Sequence, residues 1–171
     1  VREIKFRAWC KKHRELEFLC TDNMHVSKKG IEAWCTQEDS ITHWPLILMQ
    51  YTGLKDKSGV EIYEGDIVRY DSQWTGDPEL LKYHGIDIGQ GVVKCGKENL
   101  GSNSFEYDYW ICGFYVESTY SYRKGWRHDG EEYENHGFME SESLTHIMID
   151  GGVQVIGNIY ENKELLDAQR V

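Results

Sequence analysis

Along the first residues of the chain, Ile4, Phe6 and Ala8 alternate with Lys5, Arg7 and Trp9, the two-residue period of a half-buried antiparallel strand. Lys11 to Arg14 reads as a basic turn and Leu16 to Cys20 as a return strand, so a β-hairpin opens the chain. Residues 21–45 keep no period and read as irregular, with Ile31-Glu32-Ala33-Trp34 of undecided state. The stretch Leu48 to Tyr70, LMQYTGLKDKSGVEIYEGDIVRY, then carries the densest pattern. The apolar run from Leu46 to Met49, continued by Gln50-Tyr51-Thr52, predicts a buried strand ending at Gly53. Lys55 to Gly59 is a turn in which Asp56 and Ser58 bond nearby backbone. Val60, Ile62 and Tyr63 form a short return strand, and Glu64-Gly65-Asp66 turns the chain again. Ile67 to Tyr70 resumes the β pattern, with Val68 and Tyr70 on one face and Ile67 and Arg69 on the other.

Further on, Asp71 to Gln90 is rich in Gly, Asp and Tyr and reads as a long loop. Gly91 to Cys95 is a strand, and Ser104 to Glu117 is the longest β candidate, with a bulge placed at Gly113. Ser121 to Gly137 is polar and reads as a hairpin tip or mobile loop, and Ser141 to Ile149 as a helical turn or a strand. Val153, Val155 and Ile159 belong to a buried strand interrupted at Gly157. Asn162 is placed to cap a short final helix that Leu165 and Leu166 dock on the sheet. These elements predict a mainly β, β-rich α+β fold: an antiparallel meander closing into a small bent barrel or half-barrel, with a short C-terminal helix. The expected organisation is one domain over 1–171, with a hairpin and irregular segment in 1–45 and the β core and helix in 46–171. Gly53, Gly59 and Gly65 are read as architecture, because the stretch lacks the GxxxxGK[ST] and GxGxxG spacings that cradle phosphates.

The stretch LMQYTGLKDKSGVEIYEGDIVRY resembles the hallmark of the YopX-like proteins of bacteriophages and prophages. Arg2-Glu3-Ile4-Lys5-Phe6-Arg7-Ala8-Trp9 is similar to that family's opening strand, and Val155 to Asn162 followed by Glu164-Leu165-Leu166 to its closing motif. Two positions depart from the pattern: Cys10 stands where members carry an acidic or polar residue, and Lys163 where a proline commonly begins the last helix. The resemblance implies a largely β fold and a phage or prophage setting in a bacterial cytoplasm, and it implies no reaction. It also marks Gly53, Asp56, Gly59, Tyr63, Gly65, Asp66, Gly157 and Asn158 as motif positions of mainly structural use.

The 171 residues include five cysteines, Cys10, Cys20, Cys35, Cys95 and Cys112, with no CxxC pair, so free thiols are expected and zinc is not. No apolar run nears the roughly 20 residues of a membrane helix, and no signal-peptide pattern opens the chain, so a cytoplasmic location is expected. Residues 1–30 hold eight Lys and Arg against four Asp and Glu, so the remainder is more acidic than the whole-chain charge of −10. The basic part reads first as solvated strand faces, and second as a nucleic-acid surface that also uses Lys28-Lys29. The overall negative charge opposes a polyanion at long range.

No HExxH, GxSxG or H-x-E with P-C-x-x-C occurs. No catalytic, cofactor or metal residue is therefore assigned. Asp56 and Asp66 are the first choices for any polar role beyond turns, with Asp66 read as a turn cap. Trp74, Tyr83 and His84 in the long loop, with Tyr107 and Tyr109 in the aromatic strand, are the candidate interaction surface. The expected function is a non-enzymatic accessory protein that binds an unknown protein partner or itself, and the alternative is a nucleic-acid-binding module built on the basic hairpin.

Overall fold

The computed structural model describes residues 4–18, 24–27, 30–36, 43–73, 86–102, 108–126, 131–136, 141–143 and 152–167. They form β1 Phe6–Cys10, β2 Glu15–Phe18, β3 Met24–Ser27, β4 Gly30–Thr36, β5 His43–Lys55, β6 Glu61–Tyr63, β7 Asp66–Gln73, β8 Ile86–Ser102, β9 Asp108–Trp126, β10 Glu132–His136, β11 Ser141–Ser143, β12 Gly152–Asn158 and the helix α1 Glu164–Asp167. All the strand pairs are antiparallel. The first sheet runs β2-β1-β5-β4-β3 with β6 on β5, the second runs β10-β9-β8-β7-β12 with β11 on β9, and one sheet curls into a half-barrel. The meander of Leu48 to Tyr70 is the join, since β5 and β6 belong to the first sheet and β7 to the second.

The opening hairpin is present. β1 pairs β2 from Arg7↔Phe18 to Cys10↔Glu15, and the amide of Arg14, at φ 58°, donates to the Cys10 carbonyl at 2.8 Å. The half-buried reading of β1 is corrected: Arg7, Ala8, Trp9 and Cys10 are all buried, while Ile4 is 72% exposed. The strand's edges are paired with β2 and β5, and both of its faces carry packed clusters, Ala8 and Cys10 with Ala33 and Leu46 on one and Trp9 with Met49, Tyr51 and Tyr63 on the other.

The irregular reading of 21–45 is also corrected. β3 and β4 pair from Met24↔Ala33 to Ser27↔Gly30, and β4 joins β5 at Trp34↔Pro45. Backbone pairing with neighbours supplies the order that a mixed composition hides. The same holds at both ends of the supposed loop 71–90, where Asp71–Gln73 and Ile86–Gln90 are strand, paired as Asp71↔Ile88 and Gln73↔Ile86. Within Ser121 to Gly137, β9 continues to Trp126 and β10 returns along it, so the described part is paired strand; residues 127–130 and 137, on which the tip or loop expectation also falls, lie outside the described residues. Ser141–Ser143 resolves to strand. Gly113 pairs in regular register with Gly96, and the irregularities of β8 fall instead at Gln90/Gly91 and Asn99/Ser102.

Strand alternation sorts the side chains into three buried groups. Ala8, Cys10, Ala33 and Leu46 fill one face of the first sheet. Trp9, Met49, Tyr51 and Tyr63, with Leu16, Ile47 and Tyr160 against them, fill the other. Ile62 crosses to the second sheet and packs with Val68, Tyr70, Val93, Val116 and Val153.

The two sheets meet at the Glu64-Gly65-Asp66 turn. The Gly65 amide donates to Val93 O at 2.8 Å, and the Gly65 carbonyl accepts from Ile159 N at 3.0 Å. Gly65 has φ 82°, and a Cβ there would meet nothing nearer than the Met49 sulfur at 3.5 Å. Its requirement for glycine is therefore backbone conformation and not space. Gly65→Ala is expected to lower unfolding free energy by about 1–2 kcal/mol through the left-handed φ alone, measured by urea titration.

Candidate functional site

Arg7 is the centre of a cluster where charged and aromatic side chains converge below the surface. Strand alternation puts it on the same face of β1 as Trp9, opposite Met49 on β5. Its guanidinium donates through Nη2 to Asp66 Oδ1 and lies 3.8 Å from the Met49 sulfur. Its carbon stands 4.6 Å from the centroid of the Tyr63 ring, within cation–π range. Asp66 is 1% exposed, and its second oxygen accepts the Tyr63 amide at 2.8 Å. Burial pushes the Asp66 carboxyl above its usual range, and Arg7 and the Tyr63 amide oppose this only in part. Arg7 Nε is buried without a hydrogen-bond partner.

A second layer continues toward solvent. The Tyr63 hydroxyl donates to Glu61 Oε2 at 2.7 Å, and Lys5 Nζ donates to Glu61 Oε1 at 2.7 Å. Lys5 sits 5.3 Å from the Tyr51 ring centroid, and the Tyr51 and Tyr63 rings are 5.3 Å apart. Hydrogen bonds from Lys5 and Tyr63 hold the Glu61 carboxyl low, while burial and then Glu61 push the Tyr63 hydroxyl up to about 12.

Two further motif side chains close turns. Asp56 Oδ1 accepts the amides of Ser58 and Val60 at 2.8 and 2.9 Å, and Oδ2 reaches Val155 N of β12 at 3.1 Å. Burial acts to raise the Asp56 carboxyl, but the amides of Val60, Val155, Ser58 and Gly59 together outweigh it and hold the group low. Asn158 Oδ1 accepts the amides of Tyr160 and Glu161, both at 3.0 Å. The Asn162 side chain turns back to accept Asn158 N at 3.2 Å, so the expected side-chain cap on α1 is replaced by the Asn162 carbonyl, which takes Leu165 N at 3.1 Å. A Cβ on Gly157 would lie 2.5 Å from Asn162 Oδ1, so the close approach needs glycine.

The structure thus brings the motif positions Asp56, Tyr63, Gly65, Asp66, Gly157 and Asn158 to the seam between β6, β7 and β12, where Asp66 and Asn158 are register partners. Gly53 and Gly59 lie on its solvent side at φ 86° and 85°. Trp74, Tyr83, His84 and Tyr107 lie outside the described residues; Tyr109 belongs to β9. Asp66 does close its turn, through Oδ2 on the Tyr63 amide, and through Oδ1 it also makes a buried ion pair that the turn-cap reading did not include; the solvated-face reading of Arg7 is corrected by that pair. The signal was present in the alternation: the face that must bury Trp9 also carries Arg7.

Chemically, these groups tie backbone together. Asp56 and Asp66 spend their oxygens on amides and a guanidinium and are 6% and 1% exposed, which leaves them poorly placed for proton transfer to a solute. Among the described residues no group of three or more His, Cys, Asp or Glu could hold a metal ion.

Removing one partner of the buried pair strands the other. Arg7→Met is expected to cost about 3–5 kcal/mol, and the double variant Arg7→Met with Asp66→Asn much less than the two single costs added; a double-mutant cycle in urea measures both. Asp56 and Asp66 act with opposite signs on pH dependence. The stabilisation from Asp56, whose carboxyl sits below its ordinary 3.8, is complete above that value and is lost as pH falls through the folded-state value. Asp66, raised in the fold, favours the folded state most at low pH and loses that contribution as pH rises. The stability gap between the wild type and Asp56→Asn is therefore expected to stay constant from neutral pH down to about pH 5 and to narrow as pH falls further, followed by denaturation at each pH.

No curated protein matches the chain. Among solved structures it is similar to the crystal structure of protein EF1440 from Enterococcus faecalis, at 25% identity over 97% of this chain and 99% of that one, with a TM-score of 0.40. The family described as YopX protein matches residues 5–140, which include the opening strand and the whole of the Leu48 to Tyr70 stretch. That match takes in most of the sequence, and the chain belongs to the YopX family.

Proposed function

We propose that the protein is a non-enzymatic accessory protein of a phage or prophage, acting in the cytoplasm of the bacterial host by binding another protein or further copies of itself. The observation that carries this reading is the length of β8 and β9. They run 17 and 19 residues and pair with each other from Ile86↔Lys124 to Ser102↔Asp108. β7 accompanies β8 only as far as Val92, and β11 accompanies β9 only from Tyr115 to Glu117. Among the described residues, the ribbon beyond Gly96↔Gly113 is therefore a two-stranded extension of the sheet. Two strands alone are at best marginal in water, so such an extension gains most from a partner that adds to it. Its β9 strand carries Tyr109, Trp110 and Ile111, a composition suited to protein contacts. The internal use of Asp56 and Asp66 supports the non-enzymatic part.

The test replaces residues 97–112 by an Asn-Gly turn, which suits a two-residue hairpin. The variant is expected to keep its cooperative unfolding transition. The wild type is expected to associate in sedimentation velocity or in nuclease-treated capture from a phage-infected host, and the variant to lose that association. Undiminished association in the shortened variant would remove the ribbon from the proposal. A capture that disappears with nuclease would replace the reading by nucleic-acid binding.

A further inference from the structure

After Asn158 the chain leaves the β7–β12 ladder and crosses the seam between the sheets. Residues 159–167 touch three different elements on the way. Ile159 N donates to Gly65 O at 3.0 Å in the turn between β6 and β7. The Tyr160 ring stacks on Trp9 of β1, with centroids 5.6 Å apart and planes inclined by 14°. The carbonyl of Leu165 in α1 accepts from Gln90 Nε2 of β8 at 2.7 Å. Tyr160 thereby covers the Trp9 end of the cluster that also holds Leu16, Ile47 and Met49.

These attachments differ in kind from those of β12 itself. β12 is held along its length by the ladder to β7, and from its outer side by Asp56 Oδ2 on Val155 N and Lys57 N on Val153 O. Residues 159–167 have no ladder. Their helix is four residues long and contains no buried residue, and so short a helix has little stability of its own. Asn158 and Asn162 give the first turn its shape through bonds internal to the segment. Cooperative units separate where ladder bonding and burial thin out; here the ladder ends at Asn158, and residues 159–167 are at most partly buried.

We infer that residues 159–167 are a releasable strap that opens about Asn158 while both sheets stay folded. Opening separates the Tyr160 ring from Trp9 and frees the Gln90 carboxamide from Leu165. Trp9, only 8% exposed when the strap is closed, becomes a solvent-facing aromatic on the first sheet. The strap thus switches the character of that face without unfolding the protein. This inference does not depend on the ribbon or on the identity of any partner.

Amide hydrogen exchange on the intact chain tests it. The amide of Ile159 donates to Gly65, that of Asn162 to Asn158 at the hinge, and those of Leu165 and Leu166 within the strap. They are expected to exchange at least about a hundredfold faster than those of Val68 and Val93, as for a local opening. Exchange of both sets at one common rate would overturn the inference, because the strap would then open only with the whole fold. Two variants separate a strap from a structural prop. With 5-fluorotryptophan labelling and the Trp9 signal assigned through Trp9→Phe, Tyr160→Ala should shift the Trp9 fluorine resonance to a solvent-exposed position and leave the exchange of Val68 and Val93 unchanged. Tyr160→Phe, which keeps the stack, should restore the wild-type resonance. Faster exchange at Val68 and Val93 in Tyr160→Ala would make Tyr160 part of the core and defeat the inference.

Discussion

Arg7 and Asp66 meet under the seam of two sheets, and the positions of the surrounding elements follow from that contact. Arg7 belongs to the first sheet, and Asp66 opens the first strand of the second. Burying either charge alone is costly, whereas burying them in contact is tolerable if the remaining oxygens and protons find partners. The Tyr63 amide and the Tyr63 ring supply most of those partners. The pair can form only when β1 is in register with β5, β6 has folded back on β5, and the Gly65 turn has brought β7 round. It thereby penalises slipped registers, in which a charge would be left alone in an apolar cluster.

Around that contact Asp56, Gly65 and Asn158 work as a set of backbone connectors. Asp56 joins its own turn to β12, Gly65 joins β8 to the segment after β12, and Asn158 shapes the chain as it leaves the ladder. Each connector satisfies amides or carbonyls that would otherwise be buried unpaired at a place where strands change sheets. Side chains used in this way are poor candidates for catalysis. The two surfaces proposed for contact with other molecules, the long ribbon and the face that Tyr160 covers, lie away from these connectors.

The sequence by itself determined the elements whose cause is local. The opening hairpin, the turns at Asp56 and Gly65, the alternation of Val68 and Tyr70 and the brief final helix were legible because turn chemistry and period act over a few residues. The mainly β class and the half-barrel followed from their sum. Tertiary structure decided what depends on partners distant in the chain. β4 exists because β5 lies beside it and β3 because β4 does, and β7 and β8 extend into polar sequence because each supplies the other with backbone hydrogen bonds. Arg7 is buried because Asp66 arrives from 59 residues away, and Asp66 becomes an ion-pair partner for the same reason. The Trp9–Tyr160 stack spans nearly the whole chain. Periodicity reports which face a residue occupies, but the energy of a buried charge or ring depends on what meets it there, and that is set only when the two sheets close.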